Sequence, residues 1–312
     1  MITRDQITAA RQRITPHVRR TPVIEMDGAA VGLPHPVTLK LELFQHTGSF
    51  KARGAFNNLL SREVPAAGVV AASGGNHGAA VGFAAARLGI PARIFVPSIA
   101  GEAKISLVRD TGATLQVIEG HYGQAAAAAE ACREEAGAMS VHPFDAPETL
   151  EGQGTLAAEL EQQAPDLDVL LVAVGGGGLI GGIASWYAAN MNSDRIRIVA
   201  VEPELAPTLA TALRDGPEAE IQPGGVAANS LGAPRIGRLA YDIARRLGIE
   251  TVTVPDAAIT QAQTLLWSSA RILAEPGGAA ALAALTSGRY VAPRGARIGV
   301  VVCGGNIDPL PV

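Results

Sequence analysis

The segment DVLLVAVGGGGLIGG, Asp168–Gly182, runs through six apolar residues after Asp168 and then turns across four glycines into a second apolar stretch. A strand that is apolar throughout is covered on both faces, as inside a parallel sheet, and the glycine corner after it leads into a crossover helix. The rest of the chain keeps this rhythm. Short β-branched runs stand at VTLKLE from Val37, VVAA from Val69, RIFV from Arg93, TLQVI from Thr114, IRIVAV from Ile196 and ARIGVVV from Ala296, with alanine-rich amphipathic segments between them. HGAAVGFAAARLG and QAAAAAEACREEAG read as helices closed by Gly89 and Gly137 at the left-handed cap position, and Thr3 with Gln6 reads as a capping box for a first helix. The fold class is α/β with two lobes of open parallel sheet and flanking helices. Two prolines in HPFDAPE, His142–Glu148, break the pattern and mark the return from a smaller inserted lobe. Residues 48–147 are expected to form the small domain, and residues 1–47 with 148–312 the large one.

Bulk properties narrow the function. A chain of 312 residues that is 48% hydrophobic can bury a substantial core on its own. Its formal net charge of -4 offers no basic field for nucleic acid or anionic lipid, so a small-molecule partner is expected. Two cysteines, Cys132 and Cys303, make no disulfide framework and fit a reducing compartment. The N-terminus is charged and amphipathic, and no apolar run reaches the length of about 18 residues that a membrane helix needs. A cytoplasmic location is the expectation. The 36 glycines gather at a few places, where backbone meets a ligand or turns tightly.

Four segments carry chemistry. In HTGSFKARGA, His46–Ala55, Lys51 stands at the start of a helix; burial beside Phe50 and the helix N-terminus would lower its pKa enough for Schiff-base chemistry. The plain alternative is a solvated helix-start lysine. ASGGNHG, Ala72–Gly78, joins a strand to a helix and offers amides for an anion, the Ser73 hydroxyl and the Asn76 amide; alternatively Asn76 and His77 only cap the helix. The glycines after Val174 suit a phosphate. Gly176, Gly178 and Gly181 also satisfy G-x-G-x-x-G, with Glu202 at a strand end downstream as a ribose-binding acid, so a dinucleotide-binding oxidoreductase is the rival reading. In VVCGGNID, Val301–Asp308, Cys303 is either an inert buried thiol or a group facing a ligand's ring nitrogen. A further segment, AEPGGAA, Ala274–Ala280, reads most simply as a helix start at Pro276.

In this order, the segments SFK-x-RGA, S-x-GNH, GGGGL, VEPE and CGGN resemble the serine/threonine dehydratase (threonine ammonia-lyase) branch of the fold-type-II pyridoxal-phosphate (PLP) enzymes, whose relatives include serine racemase. The likeness spans nearly the whole chain. It implies a tryptophan-synthase-β-like fold with pyridoxal 5'-phosphate in the cleft between the lobes, a homodimer, and ammonia-lyase activity on a small β-hydroxy amino acid. By the same resemblance Lys51 would carry the cofactor and Phe50 would pack against its ring. Asn76 would bond the ring 3' oxygen, Ser73 and His77 would border the substrate carboxylate, and Gly175, Gly176, Gly177, Gly178 and Leu179 would hold the phosphate. Glu202, in VEPE, joins this cofactor set, and Cys303 would meet the pyridine nitrogen.

A neutral thiol gives that nitrogen little help in staying protonated, so the ring is a weak electron sink, which suits β-elimination better than transamination. Where serine racemase has a second serine in the loop, this chain has Gly74, and a glycine has no proton to give to Cα, which favours dehydration. GGVAANSLG carries Asn229 where some relatives carry an aspartate, so no metal is expected. The chain continues six residues past Asn306, and the C-terminal regulatory domain of biosynthetic threonine dehydratases, with its control by isoleucine, is not expected. Threonine, serine, 3-hydroxyaspartate, phenylserine and hydroxyectoine-derived acids all remain open as substrates. Arg53, in RGA, offers no clear β-carboxylate clamp. A PLP-binding protein without turnover is the third reading.

Overall fold

The computed structural model describes residues 2–73, 75–188 and 196–307. The chain opens with α1 (Arg4–Ile14), where the Thr3–Gln6 capping box forms, followed by β1 (Val23–Met26) and β2 (Val37–Leu41). It continues through α2 (Lys51–Ser61), β3 (Val69–Ala72), α3 (Asn76–Leu88), β4 (Ala92–Pro97), α4 (Glu102–Arg109), β5 (Thr114–Ile118), α5 (Tyr122–Ala136) and β6 (Met139–Ser140). Then come α6 (Pro147–Gln163), β7 (Val169–Ala173), α7 (Gly178–Ala188), β8 (Arg197–Pro203), α8 (Thr208–Asp215), α9 (Ala228–Leu231), α10 (Arg238–Leu247), β9 (Glu250–Val254), α11 (Asp256–Ala270), α12 (Pro276–Thr286) and β10 (Ile298–Val302).

The strands form two sheets. The larger has the order β1-β2-β10-β7-β8-β9 and the smaller β5-β4-β3-β6. Pairing is parallel except for β1, which runs antiparallel to β2 on the edge. The sequence reading places the seven strands it names and misses three. β6 is only two residues long, while β1 and β9 are edge strands whose residues are mostly half-exposed, so neither carries an apolar run. Centrally, β7 and β10 are buried at every position. Helix α12 lies across β7, β8, β9 and β10, and its residues Gly277–Leu285 are all buried, which explains a segment apolar on every side. Gly89 and Gly137 end α3 and α5 in the left-handed conformation, as read.

A buried ionic network ties α2 to the large sheet and α6. The Arg53 Nε and Nη2 donate to Glu42 at 2.8 and 2.7 Å, and Nη2 donates to Glu159 at 3.1 Å. Lys40 Nζ donates to Glu159 at 2.5 Å and to the Thr21 carbonyl and Gln163 at 2.8 Å. Arg53, Glu42, Lys40 and Glu159 are all buried, two cations against two carboxylates. Burial works against the Glu42 carboxylate, but the Arg53 guanidinium overcomes it and holds the group below its ordinary range. Lys40 is shifted down, first by burial. Arg53 is therefore a structural tie, which accounts for RGA without any substrate contact.

Candidate active site

A cavity of 570 Å³ opens where the carboxyl ends of the strands of both sheets meet, the usual ligand position in α/β folds. Its lining includes Phe50, Lys51, Ser73, Asn76, His77, Gly175, Gly176, Gly177, Gly178, Leu179, Glu275 and Cys303. Residues far apart in sequence thus converge, and of the predicted set only Glu202 lies outside.

Lys51 is the first residue of α2, and Nζ donates to the Pro143 carbonyl at 2.7 Å. Burial lowers its pKa to about 8, although Cys303 and Glu275 nearby oppose the shift. An amine in that range is partly uncharged near neutrality, as covalent chemistry requires, and the solvated-lysine alternative fails. Ser73 follows β3, and its Oγ accepts from the Gly75 amide at 3.3 Å. His77 lies in the first turn of α3 with Nε2 2.8 Å from the Val141 carbonyl. Burial, with the Lys51 charge, pushes the imidazole down to about 3, so it is neutral and Nε2 carries the hydrogen. Gly74 lies outside the described residues.

The loop after β7 presents bare backbone. A methyl on Gly176 would stand 2.3 Å from the Phe144 ring, and one on Gly175 2.9 Å from the Leu231 backbone. Gly177 has φ 88°, a left-handed conformation natural to glycine. The first amides of α7 have no partner inside the helix and face an anion favourably. Cys303 is buried at the end of β10, with Sγ 3.4 Å from the Gly277 carbonyl. Burial pushes its thiol well above the ordinary range, so it remains protonated.

Glu202 departs from expectation. Its oxygens accept from the Leu209 and Ala210 amides at 2.6 and 2.8 Å, so this buried carboxylate closes the N-terminus of α8. Burial raises it to about 7 against those backbone bonds. It touches neither a cofactor cradle nor a ribose site, and Gly181 packs toward Leu150 and Ala240. The dinucleotide reading loses its acid. Asn229 lines the cavity mouth, where its carbonyl accepts from Lys104 of α4 at 3.1 Å. Among the described residues no group of three or more His, Cys, Asp or Glu is placed to hold a metal.

Sequence reasoning missed Glu275. Pro276 does begin α12, but the Glu275 side chain turns into the cavity and accepts from Asn76 Nδ2 at 2.6 Å. Burial raises this carboxyl to about 7, with the Asn76 bond opposing. Only the flanking Pro and Gly were conspicuous in the sequence.

A half-buried amine lowered toward neutrality, a bare amide loop and a protonated thiol fit pyridoxal phosphate: the amine for its aldehyde, the loop for its phosphate, the thiol for its ring nitrogen. The chain belongs to the pyridoxal-phosphate dependent enzymes, whose family profile it matches over residues 14–304. Pyridoxal 5'-phosphate is its cofactor. Among individual proteins, it is 38% identical to an L-threonine ammonia-lyase of Geobacter sulfurreducens over 97% of this chain and 75% of that one. It is 36% identical to a phenylserine dehydratase of Ralstonia pickettii, over 97% of this chain and 92% of that protein. Maize serine racemase superposes with a TM-score of 0.91 at 33% identity, covering 99% of this chain and 94% of that structure.

Proposed function

We propose that this enzyme removes water and ammonia from a small L-β-hydroxy amino acid of the threonine and serine class, giving a 2-oxo acid. The observation that carries the reading is the half-buried Lys51 amine, lowered to about 8 and sharing one cavity with a neutral Cys303. The relatives named threonine ammonia-lyase and phenylserine dehydratase support the same reaction class.

Bound pyridoxal phosphate supplies an electron-withdrawing ring that acidifies the substrate Cα–H bond. Lys51 would hold the cofactor, and its Nζ is the group placed to take the Cα proton. The Pro143 carbonyl keeps Nζ in place. The Cβ–O bond would break as the Cα proton departs, and the proton that Nζ takes would leave with the hydroxyl as water; the resulting enamine then takes up water to give the 2-oxo acid and ammonia. Gly175, Gly176, Gly177, Gly178 and Leu179 hold the phosphate through backbone amides, and Phe50 borders the ring. Asn76 would donate to the ring 3' oxygen. Ser73 Oγ and the neutral His77 sit at the substrate carboxylate. Cys303 would give the ring nitrogen a partner without negative charge, which suits elimination better than transamination.

Loss of the side chain at Gly74 favours dehydration over the two-base racemisation of the serine racemase relatives. Residues 48–147 as one lobe, closing on 1–47 with 148–312, belong to the same proposal. So do a homodimer and a cytoplasmic location, the latter supported by the free thiols of Cys132 and Cys303. Among the described residues no helix is long and apolar enough to cross a membrane.

The test is a spectrum of the purified protein followed by L-threonine and L-serine with separate readouts for 2-oxo acid and D-serine. A visible band that borohydride abolishes, followed by 2-oxo acid, is the expected result. D-serine without 2-oxo acid would overturn the reaction class, and a cofactor band with no product from any β-hydroxy amino acid would leave a binding protein.

A further inference from the structure

Two motifs remain unused by the catalytic reading: EPGG, at the start of α12, and the asparagine that closes CGGN. They interlock. The Gly304 carbonyl accepts from the Glu275 amide at 3.1 Å, and a methyl on Gly304 would stand 2.0 Å from Glu275 Oε1. A methyl on Gly278 would meet the Gly304 carbonyl at 2.1 Å. Glycine at both places lets the two segments approach until the Glu275 carboxyl reaches Asn76.

The side-chain amides then form a directed chain. Asn306 Nδ2 has two hydrogens: one goes to the Thr47 carbonyl at 2.7 Å and the other to Asn76 Oδ1 at 2.7 Å. Thr47 is one of two non-glycine residues with positive φ among the described residues, at 58°, and this strained turn is what aims its carbonyl at Asn306. With Asn76 Oδ1 accepting, Asn76 Nδ2 gives one hydrogen to Glu275 at 2.6 Å. One N–H of Asn76 is left for the cavity. Nothing in the sequence around Asn76 says which end of its amide faces the ligand; the network on either side decides it.

We propose that Asn306 and Glu275 are positioning residues that lock the Asn76 amide with its Nδ2 toward the cofactor, so that it meets the ring oxygen only as a hydrogen-bond donor. The proposal rests on the reading of Asn76 as the partner of the ring 3' oxygen. It is independent of which amino acid is the substrate. A donor locked from both sides favours an ionised ring oxygen and needs no reorientation when the cofactor enters.

The experiment is equilibrium binding of pyridoxal phosphate to cofactor-free protein, with the thermal midpoint of each cofactor-free variant measured alongside. Asn76→Ala, Asn306→Ala and Glu275→Ala should each bind the cofactor roughly threefold to tenfold more weakly, the worth of one hydrogen bond. Glu275→Gln should bind as the wild type does, because its Oε1 can still accept from Asn76. Asn306→Asp should be worse than Asn306→Ala, since an acceptor at that position turns the amide over. In the Asn76→Ala background, Asn306→Ala should cost nothing further. Wild-type affinity in Asn76→Ala would overturn the assignment of Asn76 itself and the lock with it. Weakened binding in Asn76→Ala with full affinity in Asn306→Ala, or equal and additive losses in the double variant, would overturn the lock alone. So would a pattern in which affinity losses merely follow falls in the thermal midpoint.

Discussion

Replacing Arg53 by methionine tests the buried network most directly. The substitution roughly keeps the volume and removes four hydrogen bonds, two to Glu42, one to Glu159 and one to the Thr155 hydroxyl. Lys40 still balances Glu159, but Glu42, 0% exposed, keeps only the Thr21 hydroxyl as a close partner. One carboxylate is thus stranded in the interior. Breaking one side of a buried ion pair costs about 3–5 kcal/mol. With an m-value of about 3 kcal/mol/M, the urea midpoint should fall by roughly 1–1.7 M. The readout is fluorescence of Trp186, which is buried in α7, together with circular dichroism. Adding Glu42→Gln should recover more than about 1 kcal/mol, because the loss lies in the orphaned charge and not in the missing contacts. A single variant that loses less than about 1 kcal/mol, or a double variant less stable than the single, would refute the argument.

Other outcomes follow from the site. Lys51→Ala should lose the borohydride-sensitive band and at least about a thousandfold in turnover, measured by 2-oxo acid release. Because the folded amine has a pKa of about 8, reloading of cofactor into the emptied wild-type protein should speed up roughly fivefold from pH 7 to 8 and level off above pH 9; a flat profile would contradict the shift. Cys303→Ser exchanges one neutral donor for another and should keep turnover within about fivefold, whereas Cys303→Asp, beside Glu275, should lose far more in the same assay. Glu202 is raised to about 7 in the folded protein, so the folded state holds its proton more tightly than the unfolded chain between the ordinary carboxyl range and pH 7. Stability should therefore fall as pH rises through that window, and Glu202→Ala should flatten that part of a urea-midpoint profile.

What the sequence disclosed was the chemistry written in contiguous letters. Lys51, the glycines after Val174 and Cys303 each stand in a local motif, and their order along the chain carried the assignment. The edge strands β1 and β9 were illegible because a half-exposed strand has no apolar run. Glu202 was misassigned because an acid at a strand end serves a ribose or a helix end equally well, and only the return of α8 over β8 decides between them. Glu275 was hidden behind Pro276, whose meaning as a helix start is correct but incomplete. The network of Arg53 could not be read at all, since Glu159 lies 106 positions away and no spacing rule reaches that far.

The stitching of residues 48–50 to residues 303–305 at the site has a consequence for how the enzyme comes into being. Phe50 N bonds the Cys303 carbonyl, Gly305 N bonds the Gly48 carbonyl, and Ser49 bridges to Gly304, so the turn that carries Lys51 is held by the last strand. On the ribosome that strand is the last of the described strands to emerge. The lysine segment therefore waits, its own helix made but its position unset, until β10 has been synthesised, and contacts of such long range form late in folding as well. Cofactor capture becomes a late event for this protein: a nascent chain stalled short of β10 can hold a folded small sheet and still have nowhere to seat pyridoxal phosphate.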